Sequence, residues 1–269
     1  MNKRVVIISD LHCGHLTGLT PPNWQINQTK QPEEFDTKHQ KFALIQKDIW
    51  NFYVKTIKEL QPISLLVCNG DLVDGHGIRS ASSEQITTDI IEQTNIAIKC
   101  IEQCKAQKHI FTVGTQYHTS TPNGGEDFES IIANHFNASK IGSHEFINVN
   151  GLIFDIKHHV GTSQSPLGRN NGIVKDRLWN LIWNEHNEQP KANIIIRSHA
   201  HYFNYCGENG WLGMTTPALQ GMYTKFGTRR CSGHVNIGLI HFDINEKGLY
   251  SWQPHIAQTP SQKAQVLSF

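Results

Sequence analysis

Apolar and polar positions follow two regimes along the chain. Short β-branched runs without alternation, such as Val5-Val6-Ile7-Ile8, Leu65-Leu66-Val67 and Ile194-Ile195-Ile196, have the pattern of strands buried on both faces. Elsewhere apolar residues recur at helical spacing. Phe42, Ile45, Ile49, Phe52 and Ile57 predict a helix from Thr37 to Leu60, closed by Gln61-Pro62. Ile86, Ile90, Ile91, Thr94, Ile98 and Ile101 predict a second from Ser83 to Ala106, and Trp179, Ile182 and Trp183 mark a third within 173–187. A shorter helix is expected over 126–136. Asn150-Gly151 between two strand-like runs is a strong hairpin signal. Helices and strands alternate early and strands dominate later. That order predicts one α/β domain over 1–269 with two packed sheets and a polar, loosely docked tail at 257–269.

Charge adds little: 24 Lys and Arg stand against 23 Asp and Glu. The basic excess usual in nucleic-acid-binding domains is missing. The six cysteines form no Cys-x-x-Cys pair, which argues against a zinc ribbon or a disulfide framework. No apolar stretch reaches the length of a membrane span. A soluble protein of a reducing, cytoplasmic compartment is the expectation. Histidine is the outlier, with 16 in 269 residues, several beside carboxylates or each other.

Those histidines fall where apolar runs end. Val5–Ser9 runs into Asp10-Leu11-His12, Leu65–Asn69 into Gly70-Asp71, and Asn193–Ser198 into His199-Ala200-His201. His158 and His159 close a fourth run, with Gly114-Thr115-Gln116-Tyr117-His118 after a fifth. Open α/β sheets place their sites at such strand ends, and Asp with His is a ligand set for divalent transition metals. If the strands persist, residues i and i+2 point to one side, so Asp10 with His12, and His199 with His201, can each reach one ion. Asp71 is the candidate bridge between two ions ~3.5–4 Å apart. Asp74 reads as a turn or supporting residue. His15, His76 and His234 lie in expected rim loops, and Arg79, Arg169, Lys225, Arg229 and Arg230 are candidate phosphate clamps among which nothing selects.

This ordered set resembles the calcineurin-like metallophosphoesterase superfamily, whose pattern is Asp-x-His, Gly-Asp-x-x-Asp, Gly-Asn-His, a lone His, then Gly-His-x-His. The resemblance spans about Arg4 to Tyr202. It implies a four-layer α/β/β/α sandwich with two mixed β-sheets. Asp10, His12, Asp71 and His201 would hold one metal, and Asp71, His158 and His199 the other; strand alternation alone does not separate His158 from His159. Thr115 stands where the family has its ligating Asn, and His118 comes two residues late for the leaving-group acid, a variant that resembles bacterial and phage-type members. Ser198 replaces the Gly before His-x-His, a small-for-small change. Asp74-Gly75-His76 lacks the Arg of the protein Ser/Thr phosphatases, which argues against that branch.

The resemblance implies a hydrolase cutting a phosphodiester, in a nucleotide or nucleic acid, with a hydroxide shared by two divalent ions, Mn²⁺ first and Fe, Zn or Ni as alternatives. His118 would be the catalytic acid. A phosphomonoesterase and a non-catalytic scaffold on the same fold are the alternatives. A metal-dependent amidohydrolase would want the His-x-His pair near the amino terminus, the reverse of the order here.

Overall fold

The computed structural model describes residues 1–26, 37–77, 80–119, 127–163, 165–222 and 235–259, with 266 and 268. Most of the 257–269 tail, together with Arg79, Lys225, Arg229, Arg230 and His234, lies outside the described residues.

One sheet contains β1 (Lys3–Ile8), β2 (Leu65–Asn69), β3 (His109–Thr112) and β4 (Lys140–Gly142), all parallel, extended beyond β1 by antiparallel β10 (Gly238–Ile244) and β11 (Tyr250–Ile256). The other contains β5 (Glu145–Val149), β6 (Leu152–Ile156), β7 (Ile194–Arg197), β8 (Asn204–Glu208) and β9 (Trp211–Thr215) in the order β5-β6-β7-β9-β8, with β6, β7 and β9 parallel. Asn150 and Gly151 both take positive φ, 51° and 91°, and close the β5–β6 hairpin as expected.

Three helices, α1 (Thr37–Glu59), α2 (Ile90–Glu102) and α4 (Phe128–His135), cover the outer face of the first sheet; α3 (Gln116–Thr119) is a single turn after β3, and α5 (Asn171–Glu185) lies on β7 and β9 of the second. The result is the α/β/β/α sandwich of two mixed sheets. β1 shows how the unalternating strands are used. Val6 and Ile8 pack under the helices, while Val5 and Ile7 face the second sheet, where Phe154 meets Phe242 edge-on. Each such buried aliphatic side chain contributes about 1.5–3 kcal/mol relative to exposure.

Two helices depart from their sequence pattern. The stretch 83–89 is not helical: Ile86 N–H donates to Gly14 O, and the helix starts only where the Asp89 carboxylate accepts the Ile91 and Glu92 N–H groups. Ile91, placed on the apolar stripe by periodicity, is exposed, because it points away from the helix face formed by Ile96, Ala97, Cys100 and Ile101. In α5 the inward residues are Ile173, Arg177 and Asn180, whereas Trp179, Ile182 and Trp183 face outward.

Candidate metal centre

The carboxyl ends of β1, β2, β3, β6 and β7 meet at one edge of the sandwich, and every candidate side chain sits just beyond one of them. The strands do not persist through the motifs. Asp10, His12, Asp71, His199 and His201 all have positive φ, between 44° and 67°, the left-handed region that non-glycine residues rarely enter. Successive left-handed turns, rather than strand alternation, aim Asp10 and His12 at one point and likewise His199 and His201. Such conformations cost ~1–3 kcal/mol each and cluster at functional sites. Here they are held by a backbone zipper: Asp10 N–H donates to Gly70 O, His12 N–H to Asp71 O and Cys13 N–H to Leu72 O. Gly70 (φ 75°) is required as well, because a Cβ there would lie 2.6 Å from His158 Nδ1.

Among the described residues three groups of potential ligand atoms result: Asp10, His12 and His201; Asp71, His158 and His199; and His12, Asp74 and His118, each within 4.8 Å. His12 Nε2 lies 3.3 Å from His201 Nε2, and Asp10 Oδ1 3.2 Å from His201 Nε2. In the second group His158 Nε2 is 3.0 Å from Asp71 Oδ2. Its Nδ1 donates to Asn69 O at 2.7 Å, which leaves Nε2 as the nitrogen available to a metal. His158 is buried and His159 exposed, its ring beside His199, so the fold separates the two residues that alternation could not. Thr115 stands at the join: its hydroxyl is 3.0 Å from Asp71 Oδ2 and 3.1 Å from His199 Nδ1. His118 Nδ1 donates to the Asp74 carbonyl at 2.6 Å. Asp74 itself places Oδ1 3.5 Å from His12 Nδ1, the supporting position for that imidazole.

The electrostatics ask for positive charge. Burial pushes the Asp10 carboxyl up, but His201 and His158 outweigh it and hold it at about 2; Asp71 is likewise held well down, burial being opposed chiefly by His158. Burial drives His12 down to about 4. His158 goes the other way, to about 10, because Asp71 and Asp10 overcome its burial. Asp10 Oδ1 and His12 Nδ1 are buried and form no hydrogen bond, their contacts being 3.2 Å to His201 Nε2 and 3.5 Å to Asp74 Oδ1. Two buried carboxylates ringed by imidazole nitrogens, with an orphaned carboxylate oxygen among them, fit divalent cations.

Two parts of the site escaped the sequence. Glu129, fully buried at the start of α4, accepts Leu72 N–H on Oε1 (2.9 Å) and Gly114 N–H on Oε2 (2.6 Å), tying the Asp71 turn to the Thr115 turn. Burial and then the Asp71 charge push its carboxyl up to about 8. A buried polar chain also links the sheets beneath the site. Thr112 donates to Asn69, Asn69 donates to Ser198 Oγ (2.6 Å), and Ser198 and Ser9 both meet Thr216 Oγ1 (2.7 Å). Ser198 is therefore more than a small-for-small change, since a glycine there would break the chain. His15, expected on the rim, is instead buried with Nδ1 accepting the Thr17 N–H. Glu129→Gln, which sets an amide N–H against one of the two backbone donors, is expected to weaken Mn²⁺ binding by about 10–100-fold. Calorimetric titration measures it, and an unchanged affinity would show that Glu129 only supports the fold.

No family model matches the chain, and no curated protein matches it. Among solved structures it is similar to a single mutant of Vps29 from Entamoeba histolytica (11% identity, 95% of this chain and 99% of that one, TM-score 0.45). It is also similar to a novel archaeal phosphodiesterase (14%, 93% and 99%, 0.42) and to wild-type Vps29 complexed with zinc from E. histolytica (10%, 94% and 98%, 0.41). Identities and TM-scores this low assign neither activity nor ligand, so the functional reading rests on the chain's own residues. Among the described residues no helix is long and apolar enough to cross a membrane.

Proposed function

We propose that the chain is a phosphoesterase with two divalent ions, Mn²⁺ first among them, and that its substrate is a phosphodiester of a nucleotide or nucleic acid. The observation carrying this reading is the pair of buried carboxylates, Asp10 and Asp71, each enclosed by its own set of imidazoles. Asp10, His12 and His201 would hold one ion and His158 and His199 the other, with Asp71 able to serve both and Thr115 a weak additional ligand. The ions supply Lewis acidity at the phosphoryl group and lower the pKa of water within their reach.

The residues around them do the rest. The Asn69 carbonyl fixes the ring of His158, and the Asp74 carboxylate faces Nδ1 of His12. His118, its Nδ1 committed to the Asp74 carbonyl, would act as the acid through a proton on Nε2. As water adds to phosphorus and the P–O bond to the leaving group breaks, that proton passes to the leaving oxygen. Arg169 lies over the ring of Tyr202, next to His201, at 4.5 Å, and its Nε has no hydrogen-bond partner. On this reading it is the cation that would meet phosphate charge.

Metal content together with hydrolysis of p-nitrophenyl phosphate and its bis-ester tests the reading. Two ions per chain and a preference for the bis-ester are expected; preference for the monoester would make it a phosphomonoesterase, and no turnover with any ion would leave a scaffold. Ion loading should also release protons. His158, held at about 10 without metal, is protonated at neutral pH and must give up that proton to ligate. Apparent affinity should therefore rise with pH through the neutral range, by up to about tenfold per unit, with about one proton released per chain. Calorimetry in buffers of different ionisation enthalpy reads this directly, and absence of release would remove His158 from the ligand set.

A further inference from the structure

Helix α5 is amphipathic in the wrong sense for a helix with one partner. Toward its own sheet it presents Arg177, whose Nη1 donates to Ala192 O (2.8 Å), and Asn180, which donates to Pro190 O (3.0 Å) and accepts Ala192 N–H (2.9 Å). Ile173 is its one apolar residue buried there. Outward it presents Leu178 (59% exposed), Val174 and Trp179 (49%), Trp183 (43%), Ile182 (39%) and Leu181 (38%). At 3.6 residues per turn these six form one broad arc. They offer on the order of 500 Å² of apolar surface, the size at which such patches mark interaction sites.

We propose that this face receives a second copy of the chain, two α5 helices packing antiparallel across a two-fold axis at the level of Asn180. The charges framing the arc select this occupant. Lys175 lies at its amino end and Glu185 at its carboxyl end, both exposed. An antiparallel pair centred at residue 180 sets each Lys175 against the other copy's Glu185, twice by symmetry. The same register lays Leu178 on Ile182 and Trp179 on Leu181, apolar against apolar. With the framing side chains the face approaches the ~800 Å² per partner of a standard interface. The Arg197–Asp176 ion pair (2.6 Å) anchors the helix to β7, so the face is presented on a rigid element.

Sedimentation velocity over a concentration series tests this. The wild type should be a dimer with Kd of roughly 1 µM or tighter. Leu178→Glu with Ile182→Glu should weaken it by at least about 100-fold, while circular dichroism and Mn²⁺ binding stay unchanged because both side chains are exposed. Lys175→Glu and Glu185→Lys should each weaken dimerisation by about tenfold, and mixing the two single variants should restore it, since the heterodimer has opposite charges at both contacts. A wild type monomeric at all concentrations would overturn the proposal and leave the face to a different protein. A dimer that survives the double substitution would overturn it in favour of another face, and failure of the mixture to recover would overturn the antiparallel register.

Discussion

Asp71→Asn is expected to lower phosphodiester hydrolysis by about 10³-fold and to leave the purified protein with at most one ion per chain. Asp71 Oδ2 is within 3.0 Å of both His158 Nε2 and the Thr115 hydroxyl and 3.9 Å from His199 Nδ1, while Oδ1 accepts the Thr115 N–H. An amide keeps the shape but removes the charge. It also places an N–H where either the Thr115 N–H or the second ion would be met. Metal analysis and bis-ester hydrolysis on the same preparation check both parts, with circular dichroism showing that the fold survives. Two ions retained would remove Asp71 as the bridge, and wild-type turnover would sink the hydrolase reading itself.

The second large effect lies away from the metal centre. Arg197 is 2% exposed and donates from Nη1 to Asp155 Oδ1 (2.7 Å) and from Nε to Asp176 Oδ2 (2.6 Å); Asp155 also meets His144 Nε2 (2.8 Å). Asp155→Asn should destabilise the protein by about 3–5 kcal/mol near neutral pH, because the guanidinium stays charged and buried after losing a partner. The pH dependence has a definite sign. Burial pushes the Asp155 carboxyl up, but His144 and Arg197 outweigh it and hold it below the usual range. Its contribution is thus complete above the unfolded value of about 4 and disappears as pH falls through the lower folded value. Urea unfolding of both proteins should show a constant gap from about pH 5 to 8 that closes in acid. A gap below about 1 kcal/mol at neutral pH, the range of a surface pair, would mean that Asp176 alone satisfies Arg197.

Much of the site was legible because strand ends are written locally. A β-branched run followed by Asp10-x-His12, Gly70-Asp71 or His199-x-His201 names both the strand and the residue types delivered at its end. Glu129 carried no such mark, being one carboxylate among several polar residues early in a short helix. Only the packing of α4 against the β2 and β3 turns gives it two backbone N–H groups to hold. The Thr112–Asn69–Ser198–Thr216–Ser9 chain was hidden for the same reason, since its partners are distant in sequence.

By itself the sequence determined the two-sheet α/β class and most of the strands and helices, and it named the candidate Asp and His side chains, because these depend on local periodicity and on what each residue can ligate. Tertiary structure decided the geometry. It set the ligands on left-handed turns rather than strand extensions, turned His158 inward and His159 outward, and faced α5 with its polar side to the sheet. Periodicity shows that a helix has two faces, but which face is buried depends on the neighbour. Here the neighbour presents the Pro190 and Ala192 backbone groups, and those are satisfied by Arg177 and Asn180 rather than by tryptophan.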